Sequence, residues 1–179
     1  MVGSTSPTRT PARPAVAAAP SQSDPKAPRG NLKRCSARLA MESSQENLFD
    51  QAMARYQAGA SAAEILPDFL KITEIAPRQA AGWTCLAWLQ LLCDQPEEAL
   101  RSARFAVKLS PQDPQARINL SLALLETDSK GVRDQIQMVQ QVLTMAPQIS
   151  DDLKGALEDG LVRRPGWKAL EKVKSWLNL

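Results

Sequence analysis

The sequence of 179 residues contains no histidine, the side chain that most often carries acid–base catalysis and ligates metals near neutral pH. Nucleophile pairs of serine or cysteine with histidine are therefore excluded. The three cysteines, Cys35, Cys85 and Cys93, form no Cys-x-x-Cys pair, so we expect reduced thiols in an intracellular protein. The sequence also has no glycine-rich phosphate loop and no metal-ligand spacing, and we expect neither enzymatic activity nor a cofactor.

Long apolar runs are lacking as well. The longest extends from Ala80 to Cys93 and is interrupted by Thr84 and Gln90, whereas crossing a bilayer takes about 20 apolar residues. We therefore expect a buried helix at this position and no membrane span.

The charge is unevenly distributed along the chain. Residues 1–40 carry seven basic residues against one acidic residue, which gives this segment +6. Because the whole chain has a formal charge of +3, residues 41–179 carry −3. The foldable part lacks the basic stripe typical of nucleic-acid binding, so nucleic acid is not an expected partner.

The N-terminal segment also holds six of the thirteen prolines and no aromatic residue, which predicts a disordered basic tail over residues 1–42. Three interpretations stay open. Its Ser, Thr, Ala and Arg content is typical of a transit peptide, which would direct the protein to a plastid stroma or another organelle matrix. Alternatively, it is a passive tail of a cytoplasmic protein, or an extension before a true start at Met41.

Three similar segments end at Pro77, Pro111 and Pro147, separated by 34 and then 36 residues. Two helical patterns joined by a turn precede each proline. Internal repeats of this length indicate helix pairs stacked into a solenoid.

The middle repeat, residues 80–113, has the clearest pattern, formed by Trp83, Leu86, Ala87, Ala99, Ala106 and Pro111. It resembles the tetratricopeptide repeat, in which small residues let two helices approach and aromatic residues fill the gap to the next pair. Residues 46–79 and 114–149 fit the same pattern less completely. The resemblance implies an all-α solenoid of about three helix pairs over residues 43–149.

Further signals mark the helix boundaries. Candidate N-caps are Ser61-x-x-Glu64, Asp94-x-x-Glu97 and Asp113-Pro114. Pro67 lies past a first turn and should kink or delay its helix. Two more helical patterns, residues 151–161 and 167–177, predict a C-terminal capping pair within residues 150–179.

The resemblance implies that the first helix of each repeat faces a concave groove. The predicted groove residues are Thr84, Trp88, Leu91, Ile118, Leu122 and Leu125. Such an apolar surface favours an amphipathic helix or an extended apolar peptide as ligand. Alternatively, the C-terminal helices cover these side chains, which would then belong to the core of a structural subunit.

One subset of the family clamps the C-terminal carboxylate of chaperones. The matching positions here are Asp50, Ala54, Cys85, Gln115 and Asn119. None carries a positive charge and Asp50 has the wrong sign, so we predict no binding of chaperone tails through this clamp.

A basic face is predicted at Arg163, Arg164, Lys168 and Lys172. It is either a solvated surface or a contact for an acidic partner or anionic lipid. Together these features predict a non-enzymatic adaptor or assembly factor that binds a peptide or helix of a partner protein. An RNA-binding helical repeat is the alternative from another class, and the acidic body argues against it. The sequence leaves the oligomeric state open.

Overall fold

The computed structural model describes residues 47–179, and all regular elements in this range are helices. They are α1 (residues 47–57), α2 (Ala62–Ile75), α3 (Ala80–Leu92), α4 (Pro96–Leu109), α5 (Pro114–Glu126), α6 (Val132–Met145), a 3-10 turn (Pro147–Ile149), α7 (Ser150–Arg163) and α8 (Lys168–Leu177). The predicted tail, residues 1–42, lies outside the described residues, as does the beginning of the first predicted repeat.

The helices from α2 to α6 pack against their neighbours in chain order, and α3 also contacts α5. The residues of α1 share an apolar cluster with α2, in which Phe49 and Phe69 meet edge to face with ring centroids 5.5 Å apart. This arrangement confirms the predicted all-α array of tetratricopeptide-like helix pairs.

Small residues set the close approach of the helices. Ala87, Ala99, Ala103 and Ala106 are all fully buried where α3, α4 and α5 meet. At Gly82 an added Cβ atom would lie 3.2 Å from Cγ2 of Ile72 in α2. A larger residue at these positions would push neighbouring helices apart, because protein interiors are already close-packed.

Two of the predicted N-caps are confirmed. Ser61 and Glu64 form a complete capping box, in which the backbone N–H of Ser61 donates to the Glu64 carboxylate at 2.9 Å. This contact and the Ser61 hydroxyl lower the pKa of Glu64. The Asp113 carboxylate accepts from the backbone N–H of Gln115 at 2.9 Å and so caps α5.

Two local predictions were wrong. The N-cap of α4 is Gln95, not Asp94, because Asp94 has a left-handed backbone with φ of 59° and its carboxylate binds Arg164 instead. For Pro67 only the predicted delay was wrong, since α2 begins at Ala62 directly after its cap and contains this proline, and the kink stays a prediction.

α7 extends beyond its predicted range of 151–161 at both ends, as Ser150–Arg163, whereas α8 begins at Lys168, just inside its predicted range of 167–177, and ends at Leu177 as predicted. α8 packs against α5 and α6. α7 runs across the concave face, where its Asp159 reaches Tyr56 of α1 and its Gly160 contacts Trp88 of α3. The concave side of the repeats is therefore partly occupied by the chain itself.

The core under α7 and α8 is continuous with the last two repeats. Leu153, Leu157, Leu170 and Val173 share one buried cluster with residues of α3, α4, α5 and α6. No helix within residues 47–179 is both long and apolar enough to cross a membrane.

Candidate functional site

A cavity of about 410 Å³ lies on the concave side, between α1, α3, α5 and α7. Its apolar lining comes from Met53, Phe69, Cys85, Trp88, Leu89 and Ala156. The polar side chains at its edge are Tyr56, Gln57, Thr84, Gln115, Asn119, Asp159 and Arg163.

Helical periodicity brings these side chains to one surface. Gln115 and Asn119 are four residues apart on α5 and therefore share a face, and Asp159 and Arg163 do the same on α7. Each helix contributes one such stripe, and the solenoid places the stripes side by side around the cavity.

A polar network joins α7 to the first repeat at one wall of the cavity. The Tyr56 hydroxyl donates to Oδ2 of Asp159 at 2.5 Å and accepts from Nε1 of Trp88 at 2.9 Å. The guanidinium group of Arg163 donates through Nε to both Asp159 oxygens at 2.9 Å. Its two terminal nitrogens donate to the backbone oxygens of Ala60 and Tyr56, each at 2.9 Å.

The network leaves this wall without net charge. Arg163 neutralises Asp159, and its guanidinium carbon also lies 3.8 Å from the centroid of the Tyr56 ring. Burial, followed by the hydrogen bond to Asp159, raises the pKa of Tyr56 above its ordinary value of 10.0, so the phenol stays neutral at physiological pH. An uncharged group is therefore the ligand that this wall suits best.

A second hydrogen-bond network orients the side-chain amides of Gln115 and Asn119 on the opposite side of the cavity. Asn119 is fully buried, and its Nδ2 donates to the backbone oxygen of Thr84 at 2.9 Å. Its Oδ1 accepts from Nε2 of Gln115 at 3.0 Å. The Thr84 hydroxyl donates to Asp113 at 3.1 Å, which ties the cap of α5 to α3.

The thiol of Cys85 faces the same cavity. Burial raises its pKa from the ordinary 9.0 to about 12, with a smaller contribution from the Asp113 carboxylate. Since the thiolate is the reactive form, Cys85 is an inert part of the lining in this state. Among residues 47–179, no group of three or more His, Cys, Asp or Glu could hold a metal ion.

The predicted groove residues divide into two groups. Thr84 and Trp88 line the cavity. Leu91, Ile118 and Leu122 are fully buried in the cluster that includes α7 and α8, and Leu125 is half-buried against it. The far end of the predicted groove is thus covered, because the apolar faces of the C-terminal helices pack onto it.

The predicted basic face also divides. Arg164 donates to the backbone oxygen of Leu91 at 3.0 Å and to Asp94 at 2.7 Å, and its guanidinium carbon lies 4.9 Å from the Trp167 ring. Arg163 is engaged in the network described above. Only Lys168 and Lys172 of the four predicted residues are exposed to solvent.

Sequence reasoning missed the contact between Tyr56 and Asp159, which are 103 residues apart. The four-residue spacing of Asp159 and Arg163 was a signal for an ion pair on one helix. Nothing in the pattern indicated that this pair would meet the first repeat. Of the clamp positions, Asp50 and Ala54 are exposed on α1, and Cys85, Gln115 and Asn119 line the cavity.

The sequence matches no protein-family model and no curated protein. Among solved structures it is similar to the type III secretion translocator chaperone SycD of Yersinia enterocolitica in its alternative dimer, with 14% identity and a TM-score of 0.55. That similarity covers 76% of this chain and 96% of SycD. The TPR domain of Arabidopsis OM64 has 12% identity and a TM-score of 0.48 over 76% of this chain and 96% of that domain. Together with the helix pairs, the SycD similarity shows a tetratricopeptide-like helical fold.

Proposed function

We propose that this protein is a non-enzymatic adaptor or assembly factor that binds a short apolar segment of a partner protein in the concave cavity. The observation that carries the proposal is the cavity itself, which is about 410 Å³, apolar in its lining and uncharged at its polar wall. This volume lies within the roughly 300–1,000 Å³ typical of ligand pockets.

The residues around the cavity define what it would bind. Met53, Phe69 and Leu89 offer an apolar floor for one or a few large side chains. The amides of Gln57 and Gln115 stand at the edge, where they could pair with the backbone of a bound segment. A charged side chain would lose its hydration without gaining a counter-charge, so we expect an uncharged aliphatic or aromatic anchor.

The similarity to SycD supports the scaffold on which the proposal depends. SycD is a chaperone of type III secretion translocators, and we extend to this chain only the general role of holding a protein segment.

The cavity can be filled from α7 without removing a hydrogen bond. Ala156 lines it, whereas the neighbouring Gly155 faces open space, so Ala156→Trp and Gly155→Trp form a matched pair. Peptides are selected from a random library on the full chain and then measured against both variants. We expect them to bind wild type and Gly155→Trp alike and to lose most of their affinity for Ala156→Trp.

Equal binding to both tryptophan variants would contradict the cavity as the binding site. Circular dichroism establishes that each variant is folded before its binding is compared. Affinity capture from the source cell with the same three chains then names the natural partner as the protein lost only with Ala156→Trp.

A second candidate function is a structural subunit whose groove is permanently filled by its own helices. The full burial of Leu91, Ile118 and Leu122 favours it. This candidate predicts that no peptide is selected from the library, whereas a binding adaptor should yield peptides that distinguish Ala156→Trp from Gly155→Trp.

A further inference from the structure

The chain places one of its own amphipathic helices on the concave face. The buried residues of α7 are Leu153, Leu157 and Gly160, spaced four and three apart, so they form a single stripe. Asp151, Asp152, Lys154 and Glu158 are exposed on the other side of the helix. The groove therefore accommodates a helix, and α7 shows which pattern fits.

The contacts of α7 differ along its length. Toward its beginning, Leu153 and Leu157 join the buried core. Toward its end, Gly160 lies against Trp88, and polar contacts of Asp159 and Arg163 with the first repeat complete the attachment. If α7 leaves the groove, water can replace its polar contacts at a modest net cost in free energy. Its buried apolar contacts have no equivalent partner in solvent.

We propose that α7 occupies the binding site of an amphipathic helix of the partner protein, which binds by displacing α7 from the concave face. The contacts among Tyr56, Asp159 and Arg163 hold α7 in place and therefore determine how strongly α7 competes with the partner helix. This proposal rests on the groove-binding function proposed above and specifies the partner and its regulation. The partner helix would carry two large aliphatic residues four apart, followed three residues later by a glycine.

Displacement of α7 affects the apparent affinity of a competing helix. A ligand that needs the open groove binds with its intrinsic affinity multiplied by the fraction of molecules in which α7 is released. Weakening the contacts that hold α7 should therefore raise the apparent affinity for a competing helix. Loss of a direct contact between the protein and the ligand would instead lower the affinity.

The test uses the full chain and a fluorescent peptide with the sequence of residues 150–163. Asp159→Asn and Tyr56→Phe each weaken the attachment of α7. Glu158→Gln makes the same chemical change as Asp159→Asn at the adjacent residue, whose carboxylate faces solvent and pairs with Lys174. Binding of the peptide is measured by fluorescence anisotropy.

Cys85 provides an independent readout of α7. Its thiol lies in the cavity bounded by Ala156, Asp159 and Arg163, and burial suppresses its ionisation. Cys85 is partly shielded by its neighbours, so in a background where Cys35 and Cys93 are replaced by serine, the rate of reaction with a thiol reagent should rise when α7 leaves the cavity and exposes the thiol further.

We expect Asp159→Asn to bind the peptide about tenfold more tightly than wild type, a ratio that corresponds to ~1.4 kcal/mol, and Glu158→Gln to match wild type. Tyr56→Phe should also match wild type in peptide affinity, because the peptide's own copy of Asp159 loses the same hydrogen bond to the Tyr56 hydroxyl that α7 loses. Labelling of Cys85 should accelerate by a similar factor in the two weakened variants. Bound peptide should slow it again, because the peptide takes the place of α7.

The proposal is overturned if the peptide binds all folded chains equally, binds none at millimolar concentration, or leaves Cys85 labelling unchanged. These outcomes are separable from failure of the proposed function. The Ala156→Trp comparison uses apolar peptides selected on the wild-type chain, so the proposed function stands if those peptides lose affinity for Ala156→Trp even where the peptide of residues 150–163 fails to bind.

Discussion

Gly160 in α7 lies so close to Trp88 in α3 that a Cβ atom on Gly160 would stand 2.6 Å from Cη2 of the indole ring. The same atom would stand 2.9 Å from Cδ2 of Leu170 in α8. The indole is held in place by its hydrogen bond to Tyr56 and by the Trp167 ring, whose centroid is 5.7 Å away. Glycine at this position is thus what allows α7 to cross the concave face.

Gly160→Ala is expected to lower the free energy of unfolding by ~1–3 kcal/mol, the usual cost of an added methyl group in a filled core. Gly155 lies on the same helix with open space around it, so Gly155→Ala should raise the free energy of unfolding by ~0.5–1 kcal/mol through helix propensity. Urea denaturation followed by circular dichroism measures both. Similar changes in unfolding free energy for Gly160→Ala and Gly155→Ala would contradict the close contact between Gly160 and Trp88.

Asn119→Ala is expected to cost ~1–3 kcal/mol of stability, because it leaves the backbone oxygen of Thr84 and the amide of Gln115 without their buried partner. Asn47→Ala, on an exposed face of α1, serves as the control and should change stability by less than ~0.5 kcal/mol. The prediction fails if thermal denaturation gives the two variants the same midpoint.

The two halves of the predicted basic face should respond differently to substitution. Arg164→Lys cannot make both of the hydrogen bonds that Arg164 makes to Leu91 and Asp94, and should destabilise the chain by ~1.5 kcal/mol or more. Lys172→Glu alters an exposed side chain and should leave the unfolding free energy within ~0.5 kcal/mol of wild type. If an acidic partner or anionic lipid uses this face, Lys172→Glu should weaken salt-sensitive binding to it.

Alkaline pH should destabilise the protein. Burial raises the pKa of Cys85 from 9.0 to about 12, so between these values the unfolded chain releases a proton that the folded chain keeps. The free energy of unfolding therefore falls as pH rises through this window, and the stabilisation is fully present below pH 9. The raised pKa of Tyr56 acts in the same direction. Cys85→Ser should flatten the decline measured by urea denaturation, and an unchanged slope would contradict this cause.

Peptides that end in acidic residues with a free carboxylate should not bind through the clamp positions of the first repeat. Asp50 is exposed there and repels a carboxylate, and Ala54 offers no donor. Isothermal titration calorimetry with such a peptide should show no heat of binding. Measurable affinity that is lost on addition of salt would indicate a cationic site elsewhere on the protein.

Local signals in the sequence succeeded where neighbouring residues alone decide the structure. The repeat period predicted the helix pairs, and the caps at Ser61 and Asp113 depend on backbone groups two or three residues away. The cap at Asp94 failed because this residue has a left-handed backbone with φ of 59° and because its carboxylate binds Arg164, 70 residues further on. A local pattern cannot register such a competitor.

The sequence by itself determined the helices, their pairing and the apolar character of the groove, because each of these follows from the spacing of residues along one helix. Only the tertiary structure decided that α7 lies across the concave face, that Leu91, Ile118 and Leu122 are buried beneath the C-terminal helices, and that an open cavity remains beside Trp88. The physical reason is that periodicity specifies which face of a helix avoids water, whereas the surface that covers this face depends on contacts between residues distant in the chain.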